Sequence, residues 1–240
     1  MRLSFTIADC AESALLVQFG STYGKELGLA ILNASERLRV AALPGLRDSI
    51  PAVSSLTVFY DPLQLPRQRL VAELESLFGR ELTSRREGRT WEIPVVYGGE
   101  GGPDLKDAAK FAGLSEDDTA SLHSGRLYRV YMLGFLPGFA YLGELPEPLR
   151  LPRRAIPRAR VPAGSVAVAA EMTAVYPLES PGGWHLIGAT PVVLWDMARY
   201  DEPLFKPGDW VRFRPISADE AEALRQEAAA GWRPNPVEKP

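Results

Sequence analysis

The sequence has few of the residues on which several common classes of protein depend. Cys10 is the only cysteine, so no disulfide can form within the chain. His123 and His185 are the only histidines, which leaves too few ligands for a zinc site of the cysteine–histidine type. No apolar run reaches the roughly 18 residues that cross a bilayer, and polar residues interrupt the N-terminus too early for the core of a signal peptide. We therefore expect a cytoplasmic protein. The counts of cysteine and histidine give no information on magnesium bound by carboxylates, and no metal ligand is predicted.

The chain also lacks an excess of charge of either sign. Lys and Arg together number 27 against 30 for Asp and Glu, which gives a formal net charge of −3. A balance of this kind argues against a general binder of nucleic acid or of anionic membranes. Hydrophobic residues make up 46% of the sequence and charged residues 24%, which is typical of a folded globular protein and excludes a disordered chain. The 240 residues suffice for one large domain or two small ones.

The first third of the chain combines strand and helix patterns. Apolar residues favour two strands of a hairpin, at residues 3–7 and 14–19. Apolar residues at helical spacing predict an amphipathic helix from Leu27 to Leu38 and a second helix that begins at Pro66. A β-rich run, Leu56 to Tyr60, lies between the helices. This part is therefore predicted to be an α+β domain with helices on one side of a small sheet.

A charged segment without apolar residues, 83–89, marks the predicted domain boundary, which divides the chain into residues 1–86 and 87–240. Short helices are predicted at 105–112, after Asp104 as N-cap, and from Ser115. A last helix starts with the capping box at Ser217, and the proline-rich tail after it is expected to be loose. Long Pro- and Gly-rich connections separate the predicted strands, which favours a barrel or sandwich; these strands lie at 91–97, 127–133, 166–170, 192–195 and 210–213.

Two glycine-rich segments are candidates for ligand binding or catalysis. The loop from Gly98 to Gly102 precedes a helix N-terminus and could hold an anion, but it lacks the Lys-Ser/Thr of a P-loop, so a plain connection is favoured. His185 follows Ser180 by five positions in the second segment, and Ser165 lies in another turn, so a serine–histidine hydrolase has to be considered. No G-x-S-x-G motif is present, and a structural histidine is the favoured interpretation.

Five arginines alternate with prolines between residues 150 and 162, and we call them the arginine ladder. Prolines hold such a segment extended, and the planar guanidinium group suits the recognition of carboxylate or phosphate. A solvated basic loop is an equally good interpretation of the set as a whole. Binding is favoured for the last two because they lead into the turn at Val161–Ser165. The ladder consists of Arg150, Arg153, Arg154, Arg158 and Arg160.

Several blocks of sequence match the pattern of one known family in the same order. The longest block is YRVYMLGFLPGFAYL at residues 128–142. Shorter blocks are YGGE from residue 97, VPAGS at 161–165, YPLESPGGW at 176–184 and LIG at 186–188. Together they resemble the family of 5-oxoprolinase B subunits, which is also labelled allophanate hydrolase subunit 1 and includes a sporulation-kinase inhibitor. The resemblance covers nearly the whole chain.

The resemblance implies a small α+β domain of ferredoxin-like type followed by a mainly β, cyclophilin-like barrel domain. It also implies partners, homologues of the cyclophilin-like C subunit and of the A subunit, with which 5-oxoproline is opened to glutamate using ATP that the complex, rather than this chain, binds. No catalytic residue is assigned. By motif matching, the substrate site is expected to include His123, Phe135, Arg158, Arg160, Pro162, Ser165, Ser180, Pro181, Gly182, Gly183 and Trp184.

Two departures from the family pattern keep other functions open. Met172-Thr-Ala replaces the common Gln-Thr-Gly, and Ala189 stands where the family commonly has arginine in Gly-Arg-Thr-Pro. Loss of two polar groups that contact substrate would cost several kcal/mol, since each charge-assisted hydrogen bond contributes about 1.5–3 kcal/mol. A different substrate is one consequence, and a non-catalytic regulator that inhibits a sensor histidine kinase is the alternative. Prolyl isomerase activity, suggested by the barrel alone, ranks last.

Overall fold

The computed structural model describes residues 4–20, 25–79, 88–198 and 202–238, and the chain divides into two compact units, Met1–Glu87 and Gly88–Pro240. The predicted boundary segment falls largely on residues outside the described ranges. The assignment of 1–86 and 87–240 as separate folding domains stays a prediction. No helix within the described ranges is both long and apolar enough to cross a membrane.

The first unit is a four-stranded antiparallel sheet with two helices. The strands lie in the order β1-β2-β4-β3. Alternate residues of β2 and β4, among them Leu15, Val17 and Val58, pack with the apolar faces of both helices in one buried core. The elements are β1 (Thr6–Ala11), β2 (Ala14–Gln18), α1 (Lys25–Ala41), β3 (Leu46–Pro51), β4 (Ser55–Tyr60) and α2 (Arg67–Phe78).

Both edge strands of this sheet differ from the sequence prediction. The first strand continues to Ala11 instead of ending at Ile7, with a register shift between Asp9 and Ala11. Strand β3 was missed altogether. The residues of β1 after Ile7 are exposed, as are Arg47 and Asp48 of β3, so neither edge shows the alternation of a half-buried strand.

The second unit is built on a closed barrel of seven strands, which confirms the barrel prediction. The order is β10-β7-β6-β13-β5-β12-β9, and only the pairing of β13 with β5 is parallel. A two-stranded ribbon, β8 with β11, lies outside the barrel sheet. The strands are β5 (Thr90–Tyr97), β6 (Leu127–Leu133), β7 (Ala140–Gly143), β8 (Arg158–Val161), β9 (Ser165–Ala169), β10 (Met172–Val175), β11 (Ser180–Gly182), β12 (His185–Ala189) and β13 (Trp210–Pro215).

Three helices accompany the barrel, and they begin where the sequence signals placed them. They are α3 (Leu105–Ala112), α4 (Glu116–Ser124) and α5 (Ala218–Ala229). The side chains of Ser115 and Ser217 accept hydrogen bonds from the backbone N–H groups of Asp118 and Glu220, as N-caps do. Helix α3 ends at Gly113, which adopts the left-handed conformation.

Two predictions for the second unit were wrong. Residues 192–195 form no strand, although Val192 and Leu194 are buried in the barrel core. They do not join the sheet because Pro191 has no N–H group to donate and because the Leu194 carbonyl accepts a hydrogen bond from the backbone N–H of Leu204. The tail is not loose over its described part. Trp232 packs against the core, and the N–H of Val237 donates to the Thr90 carbonyl oxygen.

The loop from Gly98 to Gly102 packs against β12. The backbone N–H groups of Gly98 and Asp104 donate to the carbonyl oxygens of Ile187 and Leu186 at 3.0 and 2.9 Å. A Cβ at Gly102 would overlap the carbonyl oxygen of Ile187. The glycines therefore permit close backbone packing, and the loop serves as a connection.

We predict that Gly102→Ala lowers the free energy of unfolding by about 3 kcal/mol, the upper part of the usual range for overpacking, because the obstructing atoms belong to the backbone. Gly134→Ala is the matched control, since a Cβ there would meet only one side-chain atom at ordinary contact distance. Its effect should stay within about 0.5 kcal/mol. Urea unfolding followed by circular dichroism measures both, and equal stability of the two variants would contradict this description of the loop.

Candidate functional site

The ribbon of β8 and β11 brings together two segments that the sequence singled out. Ser180 pairs with Val161 and Gly182 with Arg158. The turn that follows β8 is fixed to Tyr176, because Gly164 N–H donates to the Tyr176 carbonyl and Tyr176 N–H to the Ser165 carbonyl. The structure therefore collects most of the predicted binding residues beside Tyr176. They are Arg158, Arg160, Pro162, Ser165, Ser180, Pro181, Gly182, Gly183 and Trp184.

Five aromatic side chains form a cluster beside this ribbon, and we call it the aromatic cluster: Phe135, Phe139, Tyr141, Tyr176 and Trp184. Phe139 lies at the centre, with ring centroids 5.5 Å from Phe135, 4.9 Å from Tyr141, 5.1 Å from Tyr176 and 5.9 Å from Trp184. The rings meet edge to face, the arrangement that aromatic quadrupoles favour. Phe135 is 62% exposed and has a φ of +69°, which marks it as a strained residue on the surface of the cluster.

The loop at Gly182 and Gly183 packs against the side chain of Tyr176 and against the backbone of the arginine ladder. A Cβ at Gly182 would overlap the hydroxyl of Tyr176, so only glycine allows the strand to pass over that ring. The carbonyl oxygen of Gly183 accepts from the backbone N–H of Arg154 at 2.8 Å. The loop therefore joins the aromatic cluster to the arginine ladder.

Asp104 is the ion-pair partner of the ladder that the sequence did not identify. Its carboxylate receives two hydrogen bonds from Arg158, both at 2.8 Å, one from Arg154 at 2.9 Å and one from the backbone N–H of Leu186 at 2.8 Å. It occupies the N-cap position of α3 as predicted, but its side chain makes no capping hydrogen bond. It lies about 50 residues before the arginines it binds, so no local pattern could have revealed the partnership.

The carboxylate of Asp104 is held in its charged form. Burial raises the pKa of this group, but the hydrogen bonds from Arg158 and from the backbone of Leu186, together with the charges of Arg158 and Arg154, lower it further than burial raises it. The net shift is downward. A single buried anion thereby fixes α3, the ladder and the start of β12 to one another.

The remaining ladder arginines differ in how far they are neutralised. Arg160 pairs with Glu179 at 2.7 Å on the surface, and Arg150 donates to the Leu145 carbonyl and lies 3.8 Å from Glu171. The guanidinium of Arg153 makes no hydrogen bond or ion pair with any residue that the structure describes. Of the five, Arg153 alone therefore has a guanidinium that makes neither kind of contact with a described residue.

The charge of Arg153 acts on two tyrosines of the aromatic cluster. Burial raises the pKa of the Tyr141 and Tyr176 hydroxyls, and the positive charge of Arg153 lowers both against that effect. The backbone on either side of Arg153 is tethered, because the Pro152 carbonyl accepts from His185 Nε2 at 2.9 Å and the Arg154 N–H donates to Gly183. The residue is thus held next to the Trp184 loop.

The structure does not support a serine–histidine pair. His185 uses Nε2 for the Pro152 carbonyl, and the hydroxyl of Ser180, which is 7% exposed, has no hydrogen-bond partner among the described residues. The histidine therefore serves to attach the ladder. This agrees with the structural interpretation that the sequence favoured.

His123 lies in the barrel core and does not join the other predicted site residues. It is completely buried and stacks on Phe213 at 4.7 Å. Thr173 Oγ1 donates to the Ala167 carbonyl at 2.9 Å, so it must accept from His123 Nε2, also at 2.9 Å; the free Nδ1 then accepts from the Tyr97 hydroxyl at 2.7 Å. The expectation that His123 lines a substrate pocket of the barrel stays a prediction; in this structure both ring nitrogens are engaged inside the core.

Burial keeps every titratable group of that network neutral. It lowers the pKa of His123 to about 3 and raises the pKa of Tyr97 and of the neighbouring Tyr128 well above the usual value. A neutral imidazole is required, because a second proton on Nδ1 would displace the hydrogen bond from Tyr97. The network therefore stabilises the barrel at neutral pH.

An open, mainly apolar groove of about 600 Å³ lies on the same unit. Its walls include Pro177, Leu178, Pro191 and Trp195, with Arg225 at one side. None of the predicted substrate residues lines it. Among the described residues there is also no group of three or more His, Cys, Asp or Glu side chains that could hold a metal ion.

Comparison with known proteins gives a consistent result. The family described as "Carboxyltransferase domain, subdomain C and D" matches residues 5–205. The 5-oxoprolinase B subunit of Bacillus subtilis (strain 168) is 36% identical over 240 residues, which span 95% of this chain and 100% of that protein. The 5-oxoprolinase B subunit of Escherichia coli O157:H7 is 46% identical over 177 residues, which span 74% of this chain and 81% of that protein.

Solved structures share the fold. The crystal structure of TTHA0988 has a TM-score of 0.76 at 44% identity and covers 85% of this chain, which spans only 40% of the longer TTHA0988 chain. PH0987 from Pyrococcus horikoshii has a TM-score of 0.54 at 42% identity, with 90% and 99% of the two chains covered. K. lactis urea amidolyase, at 17% identity and a TM-score of 0.81, covers 99% of this chain and 16% of its own, and shows the fold alone.

We predict that Asp104→Asn lowers the free energy of unfolding by about 2–3 kcal/mol, because the substitution leaves Arg158 and Arg154 unpaired. Loss of one partner of a buried ion pair usually costs about 3–5 kcal/mol, and the partial exposure of these arginines reduces that cost. Asp107→Asn removes an exposed carboxylate from the first turn of the same helix and should change stability by less than about 1 kcal/mol. Thermal and urea unfolding compare the two. Equal stability of the two variants would contradict the anchoring role of Asp104.

The His123 network predicts a pH dependence of stability. The pKa of His123 is lower in the folded than in the unfolded protein, so the unfolded chain binds more protons between about pH 3 and 6.5, and stability falls as the pH is lowered through that range. The slope from this group is about 1.4 kcal/mol per pH unit. Urea titrations from about pH 6.5 to 5 should show it, His123→Phe should reduce it, and His185→Asn should retain it. An unchanged slope in His123→Phe would contradict this assignment.

Proposed function

The chain belongs to the family of carboxyltransferase domains, subdomains C and D, and from that premise we propose that it is the B subunit of a heteromeric ATP-dependent 5-oxoprolinase. The proposed complex opens the lactam ring of 5-oxoproline to give glutamate. The observation that carries the proposal is the 36% identity to a 5-oxoprolinase B subunit over that protein's full length. We further propose that the seven-stranded barrel is of the cyclophilin-like type.

Several features support a protein that does not act alone. Both ring nitrogens of His123 are used inside the barrel, and Nε2 of His185 binds a backbone carbonyl, so neither histidine is paired with a serine as a general base. The related TTHA0988 chain is longer, and this chain corresponds to 40% of it. We propose that homologues of the A and C subunits supply the remaining catalytic groups.

The packing of the glycine loop supports ATP binding elsewhere in the complex. The N–H groups of Gly98 and Asp104, which would face an anion in a phosphate-binding loop, donate instead to β12 carbonyls. The carboxylate of Asp104 adds negative charge at the same helix end. Our proposal therefore assigns the nucleotide to another member of the complex.

The surface formed by the ribbon, the ladder and the aromatic cluster is the proposed substrate site. It offers apolar ring faces beside cationic side chains, a combination suited to a small cyclic amide with a carboxylate. The predicted binding roles of Phe135, Arg158, Arg160, Ser165 and the Ser180–Trp184 loop belong to this proposal. In the present structure Arg158 and Arg160 are paired with Asp104 and Glu179.

The proposal is tested by reconstitution. We expect that co-expression with homologues of the A and C subunits yields a complex that releases ADP and glutamate in proportion when 5-oxoproline is added. This chain alone should show no turnover, and mixtures that lack it should lose activity. A full complex with no 5-oxoproline-dependent ATP hydrolysis would contradict the proposal.

A further inference from the structure

Arg153 is held in place by contacts of its neighbours while its own guanidinium makes no contact with a described partner. Pro152 accepts a hydrogen bond from His185, and Arg154 donates one to Gly183. These contacts flank Trp184 in the sequence, so the backbone of Arg153 lies against the Trp184 loop. A guanidinium without a partner can bind an anion without first breaking an ion pair.

The neighbouring ladder arginines do not offer the same donor face. Arg158 is engaged at both terminal nitrogens by one carboxylate, and Arg154 shares that carboxylate. Arg160 pairs with Glu179, and Arg150 binds a backbone carbonyl. A ligand at any of these positions would have to displace an existing partner.

Tyr141 supplies a second donor next to Arg153. Its ring lies 5.9 Å from Trp184 and 4.9 Å from Phe139, and it is half-buried, whereas Tyr176 is fully buried beneath Gly182. No described residue forms a hydrogen bond with the Tyr141 hydroxyl. The backbone around Arg153 is bonded to both neighbours of Trp184, whose ring lies beside Tyr141, and in agreement with this placement the positive charge of Arg153 lowers the pKa of the Tyr141 hydroxyl against the effect of burial.

We propose that Arg153 and the hydroxyl of Tyr141 form the subsite that binds the carboxylate of a small substrate, with the exposed ring of Phe135 and the half-buried ring of Tyr141 as the apolar wall for the rest of the molecule. This assignment rests on the proposed function and adds to it the residue that recognises the substrate's charge. The guanidinium binds the carboxylate through two N–H groups, and the phenol donates a further hydrogen bond.

A carboxylate fits this subsite better than a phosphate group. One free guanidinium balances one negative charge, and the anionic side chain of Glu179 lies on the surface of the same ribbon. A phosphate dianion would need a second free cation or a set of backbone N–H groups. The aromatic wall also matches a carboxylate carried on a compact ring.

The test uses the reconstituted complex with Arg153→Gln in this chain. Loss of the charge should raise the KM for 5-oxoproline at least about tenfold while kcat changes less than about threefold, because the contact binds ground state and transition state alike. Arg153→Lys should recover part of the affinity. Tyr141→Phe should raise KM about fivefold, as expected for one hydrogen bond.

Arg126→Gln is the matched control, since Arg126 is exposed at the start of β6 and makes no hydrogen bond or ion pair with described residues. It removes the same charge, and its KM should equal that of the unmodified complex. An unchanged KM in Arg153→Gln, or an equal rise in Arg126→Gln, would overturn the subsite.

A binding measurement on this chain alone separates the subsite from the proposed function. Trp fluorescence or ligand-observed NMR is recorded with 5-oxoproline, with 2-pyrrolidinone, which lacks the carboxylate, and with inorganic phosphate. We expect binding of 5-oxoproline that is at least about tenfold tighter than of 2-pyrrolidinone and that is lost in Arg153→Gln. Arg153-dependent binding in a complex without turnover would refute the function and keep the subsite. Tighter binding of phosphate, or no Arg153-dependent binding of any probe, would overturn the subsite itself.

Discussion

The buried carboxylate of Asp104 is the contact on which the proposed site depends. It holds the guanidinium of Arg158 through two hydrogen bonds and that of Arg154 through one, and it fixes the start of β12 through Leu186. Three segments that are distant in sequence thereby meet at one charge. Charge-assisted hydrogen bonds in a buried setting tolerate little displacement, so the loop that carries Trp184 is positioned by this anion as much as by its own glycines.

The arginines of the ladder have two different roles, which their sequence does not distinguish. Arg154 and Arg158 maintain the structure by neutralising Asp104, whereas Arg153 lies between two backbone tethers with its charge directed to no described carboxylate. The same residue type therefore serves as a structural partner at two positions and is proposed as a ligand-binding group at a third. The uncharged hydrogen-bond network of His123 also has a structural role, because it lies inside the barrel and not at the ribbon.

Much of the fold could be predicted because its signals are local. Helical spacing identified α1 and α2, and neighbouring residues identified the helix start at Ser115 and the capping box at Ser217. The short strands β7, β10 and β12 were missed because four or five residues carry no clear periodicity, and they are strands only because the barrel closes around them. The run at 192–195 was mistaken for a strand because its buried apolar residues resemble a buried strand in sequence.

The site could be predicted only in part, because some of its contacts join residues far apart in sequence. Composition and family resemblance identified the ribbon residues. Asp104, in contrast, resembles an ordinary N-cap, and the arginines that it binds lie about 50 residues later.

The most direct test of this account is an experimental structure of the reconstituted complex with 5-oxoproline bound. The account predicts the substrate carboxylate at about 3 Å from the guanidinium nitrogens of Arg153 and from the Tyr141 hydroxyl, with the ring against Phe135. Arg158 should remain bound to Asp104. Substrate density in the groove beside Pro177 and Trp195, or a carboxylate held by Arg158 after release of Asp104, would contradict it.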